Sequence, residues 1–176
     1  MEQVIIAGFG GQGILSMGRM LAYAGLHDGK NVSWLPSYGP EMRGGTANCH
    51  VIVSEEEVGS PIISKPSTLI VMNQPSLEKF EDMVEVGGLI ILDSTMVPVR
   101  PKRTDVRVIE IKATEKAYEM GNATYAGIIL LGKLLGESKV VSEENFKEAL
   151  KSVLPVKYHN MIPDEMKALK FGMDFI

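Results

Sequence analysis

Gln3-Val4-Ile5-Ile6-Ala7-Gly8-Phe9-Gly10-Gly11-Gln12-Gly13 is an unbroken apolar run that ends in a burst of glycine. Continuous rather than alternating apolar residues at Val4 to Ala7 predict a short strand covered on both faces, the usual condition of a strand in a parallel sheet. Gly8, Gly10 and Gly13 form G-x-G-x-x-G, with Gly11 as an additional glycine, and Ile14, Met17, Gly18, Leu21, Ala22 and Gly25 follow at helical spacing. Strand, tight turn and helix are expected in that order. Glycine permits the sharp turn and a close backbone approach. The helix directs unpaired N–H groups and its positive dipole end into the turn, where an anion is favoured.

The spacing matches the dinucleotide fingerprint in its strand-to-helix context. The next requirement of that fingerprint is an acidic residue at the end of the second strand, for the ribose hydroxyls. Here the second strand, expected over Asn31 to Leu35, runs into Pro36-Ser37-Tyr38-Gly39, and Asp28 lies before it. Three uses of the turn stay open at this point: a dinucleotide site, close packing, or a surface facing a partner subunit's ligand.

The 176-residue, 19.2 kDa chain is organised outward from this turn. Its length suits one domain over residues 1–176. Eighteen basic against 22 acidic residues give a net charge of -4, which supplies no general pull toward nucleic acid or an anionic membrane. The single cysteine, Cys49, excludes an internal disulfide and a cysteine-built zinc or iron–sulfur site on this chain alone. A start directly in a strand, without a basic segment or cleavable apolar stretch, is expected of a cytoplasmic protein. The longest apolar stretch, near Ala126 to Leu135, contains Lys133 and is too short to span a bilayer.

Asp28-Gly29-Lys30 predicts the turn after the first helix, and strand, helix and strand then make a Rossmann-like right-handed βαβ unit. Thr46 to Ser54 alternates, placing Ala47, Cys49, Val51 and Val53 on one, drier face and His50 on the other. Val58 to Ile63 is expected to be a further short strand, making the sheet mixed. Buried strands at Thr68 to Met72 and Leu89 to Leu92 flank a helix with Pro75 in its first turn, and Val106 to Ile111 is the last strand. Arg100, Lys102 and Arg103 are expected in a solvated loop. In the final third, Ala113 to Met120 is a short helix, and Asn122 is expected to cap an all-round apolar helix over Ala123 to Leu135, whose cover includes another chain. A Ser142-capped helix and a Pro163-led terminal helix complete the chain. The fold class expected is a three-layer α/β/α domain with a mixed, mostly parallel sheet.

No nucleophile elbow, zinc-binding helix or P-loop is present. The histidines, His27, His50 and His159, lack a carboxylate or serine at a suggestive offset, and Asp93 at a strand's carboxyl end reads as a turn or cap residue. No catalytic residue and no metal ligand is therefore assigned. The best binding feature besides the glycine turn is the loop Tyr38-Gly39-Pro40-Glu41-Met42-Arg43-Gly44-Gly45, expected to leave the same sheet edge. There Arg43 places a fork of donors beside flexible backbone N–H groups, with Glu41 as its orienting partner.

Gly8-Phe9-Gly10-Gly11-Gln12-Gly13 followed by Tyr38 to Gly45 closely resembles the gamma subunit, or gamma domain, of the 2-oxoacid:ferredoxin oxidoreductases. The likeness covers essentially the whole chain, including Asn122 and the helix with Leu131-Gly132. It implies a cytoplasmic complex that oxidatively decarboxylates a 2-oxoacid with coenzyme A, giving an acyl-CoA, carbon dioxide and reduced ferredoxin. It further implies thiamine diphosphate held by alpha and beta subunits, and iron–sulfur clusters in the beta and a ferredoxin-like delta subunit. No cofactor is expected on this chain, whose role would be to pack on the catalytic subunits and help enclose their site. The partner-facing or cofactor-binding residues expected are Gly8, Gly10, Gly11, Gln12, Gly13, Ser37, Tyr38, Gly39, Glu41, Arg43, Gly44 and Gly45. General resemblance favours the 2-oxoglutarate or 2-oxoisovalerate branch. The alternative is a free-standing NAD(P)- or flavin-binding Rossmann-like reductase or binding module.

Overall fold

The computed structural model describes residues 1–37 and 46–176. Six strands form one sheet: β1 (Glu2–Phe9), β2 (Asn31–Ser37), β3 (Thr46–Ser54), β4 (Thr68–Val71), β5 (Leu89–Asp93) and β6 (Arg107–Ile111). Their order across the sheet is β2-β3-β1-β4-β5-β6. The expected α/β class with a mixed, mostly parallel sheet is found: β1, β4, β5 and β6 run parallel, while β3 pairs antiparallel with both β1 and β2.

One expectation needs correction. The first βαβ unit is not Rossmann-like in its pairing, because β3 folds back between β1 and β2 and keeps them from touching. The physical reason lies in β3 itself. Its Ala47, Cys49, Val51 and Val53 join the core on one face, and Ile52 is buried on the other, so β3 needs a central place. The edge falls instead to β2, which carries Pro36 and so lacks one ladder N–H.

Alternation along the strands divides the core. Val4, Ile6, Ile70, Ile91 and Ile111 face one side, and Ile5, Ala7, Leu69, Val71, Ile90 and Leu92 the other. The second side is thin, covered by α2 (Gln74–Phe80) and by Ile63, Val84 and Val97 from loops. Helix α2 begins where expected, with Asn73 Oδ1 accepting from the Ser76 amide at 2.9 Å and Pro75 in the first turn. The stretch Val58 to Ile63 is not a strand. Gly59 and Pro61 interrupt any ladder, and the Ile63 amide donates instead to His50 Nδ1 at 3.1 Å. The basic loop is also less solvated than expected. Arg103 pairs with Asp105 at 2.6 Å and donates to the carbonyls of Glu81 and Val84, fastening the loop to the end of α2.

The first side is thick. It carries α1 (Ile14–His27), α3 (Ala113–Glu119), α4 (Tyr125–Ser138), α5 (Glu143–Val153) and α6 (Ile162–Asp174). Ser142 caps α5 as predicted, accepting from the Asn145 amide at 3.1 Å. Asn122 does not cap α4 directly. Its Oδ1 accepts from the Thr124 amide and hydroxyl in a turn that precedes the helix. Every residue from Tyr125 to Leu135 is buried, and the chain itself provides the cover, so no second chain is needed to bury α4.

That cover is α6, which lies against α4 backbone to backbone. A methyl group at Gly172 would fall on the Ile129 carbonyl oxygen, and one at Gly132 on the Leu169 carbonyl oxygen. Lys133 locks the same crossing. Its ammonium donates to the Phe175 carbonyl at 2.6 Å and pairs with Glu137 at 2.7 Å, and Glu137 also pairs with Arg107 of β6. Hydrogen bonds from Lys133 and then Arg107 hold the Glu137 carboxyl below its ordinary pKa. Because backbone cannot yield as a side chain can, Gly172→Ala is expected to cost ~2 kcal/mol or more. In thermal unfolding that is a fall of about 5 °C or more, whereas Gly59→Ala, which meets open space, leaves the midpoint unchanged.

Candidate functional site

At the carboxyl edge of the parallel strands the chain leaves β1 toward β2 on one side and returns to β4 on the other. β1 and β4 are therefore the point at which the sheet changes winding direction, the usual place for a crevice in an open α/β sheet. The glycine turn fills it. Gly11 and Gly13 have φ of 92° and 79°, a left-handed conformation that glycine adopts without strain. Gln12 folds back over the turn: its Oε1 accepts from the Phe9 amide at 2.7 Å and its Nε2 donates to the Met72 carbonyl at 3.1 Å. Gly8 makes room for this. A Cβ there would stand 2.5 Å from Gln12 Oε1 and 2.7 Å from Ile14 Cδ1.

This geometry does not fit a dinucleotide. The Phe9 amide, which would face a pyrophosphate, is already taken by Gln12. The end of β2 lies two strands from β1, roughly 10 Å at ordinary strand spacing, and it carries Ser37 where a ribose acid would be required. Gly8 and Gln12 thus serve packing, while Gly11 and Gly13 present backbone to solvent. Ser37 is half-buried at the end of β2, apart from the turn. Tyr38, Gly39, Glu41, Arg43, Gly44 and Gly45 lie outside the described residues.

A cleft of about 690 Å³ opens beside the turn. Gly11, Gln12 and Gly13 form one wall with the first turns of α1. Helix α1 starts at Gly13 with no side-chain cap and no acidic residue in its first turn, so its N–H groups are suited to a phosphate or carbonyl oxygen. The opposite wall comes from the turn before α4 and from α6. Met17, Met20, Met72, Met96 and Met161 line the space between them. Sequence periodicity placed Met17 on a helix face and Met72 in a strand but had no means of bringing these methionines together.

Glu165 on α6 is the residue that sequence reading missed. It lies in the cleft lining, 5% exposed, and its Oε2 has no hydrogen-bond partner among the described residues. Burial pushes its carboxyl up from the ordinary 4.5 to about 7. Nothing in the order Pro163-Asp164-Glu165-Met166 separates it from its exposed neighbour Asp164. Only the contact of α6 with α4 turns it inward.

The other polar candidates are structural. Asp93 is fully buried and accepts from the amides of Thr95 and Thr114 and from the Thr114 hydroxyl, tying β5 to the start of α3. His50 accepts from Ile63, His159 donates to the Leu154 carbonyl at 2.9 Å, and His27 meets Ser152 at 3.2 Å. Burial pushes the Cys49 thiol up to about 12, which leaves it inert as a nucleophile and unsuited to a cluster. No group of metal-ligating side chains occurs among the described residues.

The fold is an α/β domain with its cleft at the winding switch and a turn packed shut by its own glutamine. Residues 3–175 match the family described as pyruvate ferredoxin/flavodoxin oxidoreductase, and the chain belongs to that family, as its gamma subunit or gamma domain. It is 41% identical over 98% of its length to the ketoisovalerate oxidoreductase subunit VorA of Methanothermobacter thermautotrophicus, spanning 36% of that relative. It is 32% identical to the 2-oxoglutarate synthase subunit KorC of Methanocaldococcus jannaschii, covering 88% of this chain and 84% of the other. The chain thus spans about a third of the ketoisovalerate relatives it matches and most of the 2-oxoglutarate one. Among solved structures, the gamma subunit of a keto/oxoacid ferredoxin oxidoreductase from Geobacter sulfurreducens superposes with a TM-score of 0.83. It is 26% identical, with 99% of this chain and 97% of that one covered.

Two measurements check this site. Gln12→Leu keeps the bulk but strips both hydrogen bonds, and it is expected to cost ~1–3 kcal/mol in denaturant unfolding, with faster hydrogen exchange at the Phe9 amide. Glu165 gives a pH signature. Its raised pKa favours folding fully below pH 4.5, and that contribution is lost as the pH rises through about 7. Stability of the wild-type chain should therefore fall by about 2–3 kcal/mol over this range, and Glu165→Gln should remove that part of the slope.

Proposed function

We propose that this chain works within a complex that oxidises a 2-oxoacid with coenzyme A to an acyl-CoA and carbon dioxide, passing two electrons to ferredoxin. Within it the chain is not the reaction centre. It packs on the catalytic subunits and encloses their site with the edge that carries the Gly8–Gly13 turn. The observation that carries this reading is the 98% span of the chain matched at 41% identity to a ketoisovalerate oxidoreductase subunit. The same comparison favours a branched-chain 2-oxoacid as substrate over 2-oxoglutarate, for which identity is 32%.

Complexes of the family use thiamine diphosphate, iron–sulfur clusters and coenzyme A. The residues here do not fit a cluster, since the single cysteine is buried with a raised pKa. Clusters and thiamine diphosphate are assigned to alpha, beta and ferredoxin-like delta partners. Coenzyme A supplies the acyl-accepting thiol when bound. The N-terminus of α1 beside Gly11 and Gly13 fits one of its phosphate or carbonyl oxygens, and the turn would shield that end of the site from water. None of the helices described is long and apolar enough to cross a membrane.

A tagged chain purified anaerobically from its native host should bring down larger, brown-coloured subunits. Viologen-dye reduction with coenzyme A should be fastest with 2-oxoisovalerate among a panel of 2-oxoacids. A colourless, partnerless chain that binds a nicotinamide or flavin would overturn the reading in favour of a free-standing reductase.

A further inference from the structure

The cleft holds a group for which enclosing coenzyme A has no use. Glu165 sits in its apolar lining with Oε2 unpartnered, and among the described residues that line the cleft there is no lysine or arginine. A buried carboxylate without a partner is costly, and none of the described residues of the lining supplies the cation that would relieve it. The mouth is suited to being covered. Met96, Tyr118 and Tyr158, all at the cleft, are 38%, 68% and 45% exposed. Inside, Met17, Met20, Met72 and Met161 offer unbranched, polarisable thioethers that adapt to a slender aliphatic chain.

We propose that this cleft receives a lysine side chain from another subunit of the complex, its four-carbon stem laid along the methionines and its ammonium group on the Glu165 carboxylate. The assignment rests on the subunit reading above. Charge complementarity selects a cation, and the slot selects lysine over arginine. A guanidinium is a broad planar fork, whereas a compact ammonium on a flexible four-carbon stem follows the unbranched methionines down to the buried Oε2. Once the mouth is closed, the pair is shielded from water and salt, so it fixes the register of docking.

Carbodiimide chemistry, which joins a carboxyl to an amine in contact with it, tests this directly. In the isolated full-length chain, carbodiimide with n-butylamine should convert Glu165 to its butylamide, as it does the exposed Glu56. In the anaerobically purified complex, peptide mass spectrometry should find Glu165 joined to a lysine of a larger subunit, and its butylamide yield should drop at least tenfold while that of Glu56 holds. A Glu165 that never takes butylamine in the isolated chain overturns the proposal. So does one that takes it equally in the intact complex with no cross-link, although the subunit reading then stands. A chain that brings down no larger subunit overturns the subunit reading itself.

Discussion

The two hydrogen bonds of the Gln12 side chain are the constraint on which the rest of this structure depends. They join the end of β1 to the end of β4, the strands between which the sheet changes winding direction. A parallel sheet leaves its strand ends splayed at such a point, and a ligand commonly fills the opening. Here a side chain of the turn itself fills it. Gly8 has no Cβ because Gln12 and Ile14 occupy that space, and Gly11 and Gly13 take positive φ so that the chain can pass over the amide and enter α1. A motif that in other settings cradles a pyrophosphate has become a closed corner, and the open space moves to its flank.

That flank is shaped by the unequal layers of the domain. One face of the sheet is covered by a short helix and loops, the other by five helices, of which α4 is wholly enclosed. Enclosure of so apolar a helix needs α6 to approach at backbone distance, which the glycines at 132 and 172 permit. The same approach sets Glu165 into the cleft lining and brings methionines from distant parts of the chain into one slot. Packing that stabilises the core therefore also leaves a carboxylate oxygen buried without a hydrogen-bond partner among the described residues.

Much of this was legible in advance. The strands at Val4–Ala7, Thr68–Met72 and Leu89–Leu92, the glycine turn, Pro75 in the first turn of α2, the cap at Ser142 and the entry of α6 at Pro163 all rest on local chemistry, and local chemistry survives folding. The errors fall where pairing partners decide. Expected neighbours β1 and β2 are separated by β3, Val58–Ile63 gives its amide to a histidine rather than to a ladder, and Arg103 abandons solvent for two carbonyls. Of the binding residues expected, Gly11, Gln12 and Gly13 line one corner of the cleft, Gly8 packs beneath Gln12 and Gly10 is outside the lining, Ser37 stands apart, and Tyr38 to Gly45 fall outside the described residues.

By itself the sequence determined the α/β class, built on a buried first strand and a glycine turn. It also determined, through the pairing of that turn with Tyr38–Gly45, the family to which the chain belongs. Periodicity and turn chemistry are properties of a few consecutive residues, so they can be read without coordinates. Only the tertiary structure decided that Gln12 seals the turn against Met72, that β3 displaces β2, and that Glu165 rather than Asp164 faces the cleft. Each of these depends on which atoms come together across stretches of chain as long as the 60 residues between Gln12 and Met72, or on the side of a helix that a neighbouring helix covers. No local pattern carries that information.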